Sequence, residues 1–477
     1  MAREPGSPEW WLHRLETKLR DRATHIALFQ RYYDGDHLPP KAPPKAHEAY
    51  RKFLAMSRSN WCDLVVEAAA ERLGVVGFRL GEDLSADDEA NRIWQANGLD
   101  AESEQLFTIS ITTGHAYLLV WPDDERPDTP RITLEDPEQV IVEHDPGNPR
   151  RRAAALKLWV DDVAGKRFAT VYLPDMVAKF EAPIRSIDGS WERREVRGEA
   201  WPLPNPLGAV PVVPFPNRPV RGRDGRSDLA PVIPIQDRIN TTILNRLTAG
   251  EYTAFRQRWA VGIDIPVDEE TGEPVEEFSA AIDRLWTFEP GEEGGQVQVG
   301  EFSATDLGPY IKGVESDVQH IASITRTPGH YMLGSMGTFP SGESLRAVET
   351  GLVARVRRKQ LVYGEAFEEV MRLAFLAADQ REKADVEDSE TIWRDPETRT
   401  EGELIDGLVK LASIGVPQEA LWERLGATPQ QIKRWRRMAE EDAARAATAG
   451  FAFGPADGVT ELTPAPDDEG DDLAGVA

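Results

Sequence analysis

Cysteine is nearly missing from this chain of 477 residues, in which Cys62 is the single one. One thiol excludes an intramolecular disulfide and any cysteine-rich zinc site. In "NWCDLVVEAAAERL" it reads as a small buried hydrophobe, not a nucleophile. Long hydrophobic runs are missing too: no stretch approaches the roughly 18 consecutive apolar residues of a transmembrane helix. The opening "MAREPGSPEWWLHRLETKLR" has no apolar signal core, so a cytosolic setting is expected. Positive charge is in deficit, 55 Lys and Arg against 82 Asp and Glu, for a formal net charge of −27. That argues against tight, sequence-blind capture of DNA, which relies on basic side chains displacing counterions. It is compatible with an acidic wall along which a duplex passes, and equally with simple solubility.

The catalytic signatures are missing as well. "TPGHYMLGSMGTFPSGESLRAVETG", from Thr327, places Gly329 and Gly334 at Walker A spacing, but Ser335 and Met336 stand where the phosphate-binding lysine and the magnesium-binding hydroxyl belong. "HEAY" at His47 is not H-E-x-x-H, and "VEHD" around His144 has no second cluster to complete a metal site. "LGSMG" has its serine one place out of register for a nucleophile elbow. No strand runs through G-x-G-x-x-G into a helix. Neither a catalytic residue nor a cofactor nor a metal is implied.

What is present is a definite order of elements. An amphipathic helix is predicted over 10–33, with Trp11, Leu15, Leu19, Ile26 and Phe29 near helical spacing, closed by "YYDGDHLPP". A proline-rich link leads to a second helix from about Asn60 to Leu73, then a short strand in "GVVGFRL". From about Thr108 to Phe215, apolar segments separated by Asp, Gly and Pro clusters predict antiparallel strands, hence an α+β domain and not alternating βαβ units. A linker rich in Pro and Gly comes next, where Ser227 or Asp228 is placed to cap a long helix with its stripe at Ile235, Ile239, Ile243, Leu244 and Leu247. Residues 256–304 read as a small acidic insertion with strand-like stretches, and the helical period returns in "TDLGPYIKGVESDVQHIASITR". Beyond Gly342, apolar residues from Leu345 to Ala374 keep helical spacing to about Asp379, about 50 Å of helix. Shorter helices fill about 396–447, and an acidic tail with the composition of disorder ends the chain. Of three basic clusters, Arg150–Arg152 is read as a turn between strands, while Arg355–Lys359 and Lys433–Arg437 fall on helices whose acidic neighbours predict ion pairs.

This order resembles the portal, or head-to-tail connector, proteins of tailed bacteriophages, of the siphophage type found in phages of actinobacteria. The resemblance is carried by "FQRYYDGDHLP", "SRSNWCDLVVEAAAERLGVVGFRL", "GRSDLAPVIPIQDRIN", "TPGHYMLG" and "PSGESLRAVETGLVARVRRKQLVYGEAFEEVMRLA", in that sequence along the chain. It implies a portal-type α+β fold: a wing at 1–225, stem helices at 226–255 and 305–327 flanking a clip at 256–304, and a tunnel loop at 328–342. A long helix returning to the wing at 343–395, a helical crown at 396–447 and the tail at 448–477 complete it.

The resemblance also implies a ring of copies, a dodecamer, at one capsid vertex of the virion, assembled in the host cytoplasm. Implied partners are the major capsid protein, the terminase large subunit, a head–tail adaptor and non-specifically passing double-stranded DNA, with no membrane. It places His330, Tyr331, Met332, Leu333, Ser335, Met336 and Phe339 in the loop lining the channel, and Lys312 as a channel charge. Glycines there supply conformational freedom and the bulky residues supply steric contact with little fixed charge. Two other readings are a metal-dependent nuclease using Asp and Glu clusters, and a monomeric scaffold or adaptor.

Overall fold

The computed structural model describes residues 4–40, 48–81, 85–184, 190–220, 224–254, 258–261, 298–301, 303, 305–333, 342–397 and 401–452. Ser7 caps the first helix, α1 (Pro8–Tyr33), by accepting a hydrogen bond from the Trp10 amide at 3.2 Å. Its apolar stripe buries Leu12, Leu15, Leu19 and Ile26. Helices α2 (Glu48–Met56) and α3 (Cys62–Ala70), strand β1 (Val75–Arg79), and helices α4 (Asp88–Ala96) and α5 (Leu99–Thr113) come after it. Cys62 is fully buried and burial pushes its thiol pKa up, as a small core residue requires.

The antiparallel region holds β2 (His115–Trp121), β3 (Arg131–Glu135), β4 (Val140–Asp145), β5 (Asn148–Asp161), β6 (Lys166–Tyr172), β7 (Met176–Pro183), β8 (Glu192–Arg193), β9 (Leu203–Pro204) and β10 (Val212–Pro216). One sheet has the order β4-β5-β6-β7-β8 with β9 also on β7; a second has the order β10-β2-β3. Leu12, Leu15 and Leu19 of α1 cover the first sheet through Leu156, Val171 and Phe180. Pro214 and Pro216 fall on β10, an edge strand, where a missing N–H costs the ladder least.

Three expectations change here. The stretch from Thr108 to Thr113 is the end of helix α5, not strand, and Gly114 terminates it with φ 91°. Helix α5 exposes Asp100, Glu104 and Gln105 in its first half, but its second half buries Ser110, Ile111, Thr112 and Thr113 in succession, so no polar face marks that end and its β-branched run mimics a strand. Arg150–Arg152 lie within β5, whose pairing with β4 continues to Asp145. Helix α2 occupies Glu48–Met56, a stretch read as part of the linker before Asn60.

The remaining elements are α6 (Ile233–Ala254), β11 (Arg258–Val261), β12 (Gln298–Glu301), α7 (Gly308–Thr325), α8 (Gly329–Leu333), α9 (Gly342–Ala377), α10 (Arg381–Ala384), β13 (Glu390–Trp393), α11 (Glu401–Ser413), α12 (Gln418–Arg424) and α13 (Pro429–Ala452). Helices α6 and α7 lie antiparallel: Arg238 pairs with Asp317, Thr242 faces Gly313, and Gly250 faces Leu307. Strands β11 and β12 pair antiparallel at the far end of this hairpin, from Arg258 opposite Glu301 to Val261 opposite Gln298. The rest of the 256–304 insertion lies outside the described residues. Helix α13 runs on to Ala452, five residues into the segment expected as tail.

Helix α9 is the axis of the main core. Its Phe367 lies 4.7 Å from Phe215, 5.3 Å from Trp94 and 6.0 Å from Phe107, ring centre to ring centre. Strand β1 is completed by β13, some 300 residues further along, which packs Trp393 against the same cluster. The end of α1 and the segment after it tie the core to α6: Tyr32 donates to Asp237 at 2.5 Å, and the buried Asn240 donates to His37 at 3.0 Å and accepts from the Ser59 amide at 3.2 Å.

Two glycines make the junction between β10 and α6 possible. An atom added at Gly225 would overlap the carbonyl oxygen of Gly114, and Gly114 itself has a left-handed backbone against Arg226. Gly225→Ala is therefore expected to destabilise the chain by about 2–3 kcal/mol, read as a lower urea midpoint. An unchanged midpoint would mean that the two segments do not approach this closely.

Candidate functional site

The site to be placed is the segment joining α7 to α9. Helix α7 ends at Thr325; Arg326 then turns the chain with φ 57°, and Thr325 Oγ1 bonds both the Ile321 carbonyl at 2.7 Å and Thr327 Oγ1 at 2.9 Å. The connection is not loop throughout. Residues Gly329–Leu333 form the helical turn α8, and Met332 is buried at 4% exposure in the main core. Composition rich in Gly and Pro hides this turn, because its ordering comes from burial of one thioether side chain rather than from helix propensity.

Tyr331 anchors the same turn. Its hydroxyl donates to Glu349 on α9 at 2.9 Å and accepts from Arg72 at 2.5 Å, while Arg72 also meets Glu349 at 3.3 Å. Burial, reinforced by the Glu349 carboxylate, raises the phenol above its ordinary value. His330 is half-buried and meets the Tyr331 ring edge-on at 4.6 Å; Leu333 is half-buried against the core. Of the residues expected to line a channel, these four thus sit on an anchored turn. Ser335, Met336 and Phe339 lie outside the described residues. Lys312 is exposed on α7, near the exposed Ile311.

Beside this turn is a group of charges that spacing did not reveal. Asp228, placed by sequence as a helix cap, is buried and serves instead as the acceptor of a polar cluster, since α6 starts only at Ile233. Its Oδ2 accepts from Lys359 Nζ at 2.8 Å and Arg355 Nη2 at 2.7 Å. Its Oδ1 accepts from Asn217 at 3.1 Å and Arg218 at 3.2 Å. Lys359 also donates to Asn217, and Arg355 to the carbonyls of Thr325 at 2.9 Å and Val65 at 3.1 Å. Ser227, the other proposed cap, bonds the Thr112 carbonyl and receives the Leu229 amide.

Burial alone would raise the Asp228 pKa, but Lys359 and Arg355 outweigh it and hold the carboxyl well below its usual range. For Lys359 burial prevails over the Asp228 attraction and brings the ammonium down to about 8. The basic run on α9 is therefore partly structural. Arg357 pairs with Glu397 at 2.5 Å; in the later cluster Lys433 meets Asp88 at 2.7 Å and Arg436 meets Glu419 at 2.6 Å. Arg152 of β5 pairs with Glu369. Among the described residues no group of three or more His, Cys, Asp or Glu stands close enough to hold a metal, and no helix is long and apolar enough to cross a membrane.

The order of elements, an α+β unit, an antiparallel helix pair tipped by a two-stranded ribbon, an anchored turn and a 36-residue helix, coincides with a family match along the chain. Residues 12–445 match the family model described as phage portal protein, SPP1 Gp6-like. The chain belongs to this family. It is 31% identical over 442 residues to the portal protein of Mycobacterium phage L5, covering 89% of this chain and 87% of that one. It is 33% identical over 433 residues to the portal protein of Mycobacterium phage D29, covering 87% and 84%. Its function is that of a phage portal, and the α+β architecture is that of a portal-type fold. Helices α6 and α7 fall within 226–255 and 305–327.

Proposed function

We propose that this portal chain assembles as a closed ring of about twelve copies at one capsid vertex, its axis forming the channel through which double-stranded DNA enters and leaves the head. The reading is carried by the family match along 12–445, which runs from the first turns of α1 to most of α13. Ile311 and Ile324 of α7, 45% and 42% exposed, leave apolar surface on the helix pair that a neighbouring copy would cover. The ring has a wing at 1–225, a stem at 226–255 and 305–327, a clip at 256–304 and a crown at 396–447. Major capsid protein surrounds it, terminase drives DNA in by its own ATP hydrolysis, and an adaptor docks for the tail. The chain itself does no chemistry.

The channel is lined by the segment after α8, with Met336 and Phe339 supplying bulk, Ser335 beside them, and Lys312 as a channel charge. The anchored turn Gly329–Leu333 acts as its fixed root. Such a lining would guide the duplex sterically, and the overall acidity of the chain keeps phosphates from sticking.

Native mass spectrometry of the full-length protein tests this. A closed multimer near twelve copies is expected at micromolar concentration. A monomer that persists with capsid protein present would overturn the ring. Supercoiled plasmid incubated with the protein and magnesium should stay covalently closed; nicking that Asp→Asn substitutions abolish would favour the nuclease reading instead.

A further inference from the structure

Five cations and one carboxylate line a single cavity of about 230 Å³ between the end of β10, the end of α7 and the middle of α9: Arg218, Arg326, Arg355, Arg358 and Lys359 against Asp228. Its base is settled, because Lys359 and Arg355 share the Asp228 carboxylate. Its mouth is not. Arg218, Arg326 and Arg358 are exposed there, and among the described residues neither Arg326 nor Arg358 meets a carboxylate.

The backbone singles out the same place. Among the described residues three other than glycine adopt a left-handed backbone, and two of them are Arg218 with φ 50° and Arg326 with φ 57°. Side chains with a β-carbon disfavour that conformation. At the residue ending α7, where Arg326 stands, glycine is the usual choice. Strained arginines at one opening point to guanidinium groups positioned for a ligand. A guanidinium matches an oxyanion through two parallel hydrogen bonds, as an ammonium does not.

We propose that this cavity is a socket for a carboxylate side chain from a second copy of this chain; the proposal rests on the ring reading and names one contact within it. Charge complementarity selects that occupant. The cavity carries five positive groups against one negative, whereas the chain as a whole has 82 acidic residues and a net charge of −27. An adjacent copy therefore brings the missing charge. Closed rings use contacts in which one surface of a copy meets a different surface of the next, so socket and inserted acid need not be near each other in one chain.

The surroundings fit a protein more than a duplex. Ile324, 42% exposed, and Pro216 and Pro231 line the cavity beside the arginines, and Leu361, 74% exposed, lies one helical turn beyond Arg358. A recessed charge with an aliphatic surround matches protein interfaces. DNA phosphates are met by open basic stripes instead.

The test compares full-length protein carrying Arg326→Glu and Arg358→Glu with the unsubstituted chain by sedimentation velocity over a concentration series. Both side chains are exposed, so far-UV circular dichroism and protection of the Cys62 thiol should match. The concentration for half-assembly is expected to rise about 30-fold or more. A second variant, Arg358→Lys, mixed in isotope-labelled and unlabelled form and treated with a zero-length carbodiimide, should give an amide between position 358 and an acidic residue of another copy.

Assembly at the unsubstituted concentration, or links confined to one copy, would overturn the socket while leaving the ring. So would intact assembly with weakened duplex binding, which would reassign the cavity to a phosphate. An unsubstituted chain that never multimerises would overturn ring and socket together.

Discussion

Asp228→Asn is expected to destabilise the folded chain by about 3–5 kcal/mol, because it leaves Lys359 and Arg355 without the charge that compensates their burial. The carboxylate accepts five hydrogen bonds from four different side chains, two of them from Arg355, and an amide cannot accept at both of its heavy atoms. Cys62 offers a readout: it is the single thiol, it is fully buried, and it becomes reactive only when the core opens. Thiol labelling against urea should show the variant opening at a clearly lower midpoint. Coincident curves would remove the cluster from the stability of the fold.

The pH dependence separates charge from packing. Asp228 is depressed below its ordinary 3.8, so its stabilisation is complete above that value and is lost as pH falls through the lower folded value. The unsubstituted chain should lose stability below about pH 4 through this group, and Asp228→Asn should lack that component. Lys359 works in the opposite range. Its folded value near 8 lies under the ordinary 10.5, so the unfolded chain binds more protons between the two and stability rises with pH across that window. Without Asp228 the folded value drops further, and the window should widen downward.

Deleting Gly334–Thr338 is expected to leave multimers intact and heads empty of DNA, the largest functional effect foreseen for this portal. The glycine spacing by itself suggests a wider cut, Tyr331–Thr338. That cut would also remove Met332 from the core and Tyr331 from Arg72 and Glu349. The wider deletion should therefore lower stability as well, whereas the narrower one should leave the urea midpoint near that of the intact chain. Phage assembled with the narrower deletion can be scored by DNA content per particle. Normally filled heads would end the assignment of this segment to the channel.

The long elements were legible for one physical reason: each shows water one face and the core another. Helix α1 buries Leu12, Leu15 and Leu19 while its other side is charged, and α6, α7 and α9 repeat the pattern. Helix α5 was misread where that contrast fails, its Ile111–Thr113 end being buried on several sides. Helix α8 was missed because a five-residue turn has no periodicity to read. The Asp228 cluster left only a faint signal. Arg355 and Lys359 stand four residues apart, hence on one face of a helix, but their acid is more than 120 positions away.

By itself, then, the sequence determined the succession of the long amphipathic elements, the missing catalytic motifs and the family, since periodicity, turn chemistry and motif spacing are local properties of the chain. Tertiary structure alone decided which distant segments complete each other: β13 beside β1, Met332 under α9, and a buried aspartate among cations from three regions. These are matters of burial. Whether a charge is paired or a glycine irreplaceable depends on what lies within a few ångströms in space, and neighbours of that kind leave no regular spacing to read.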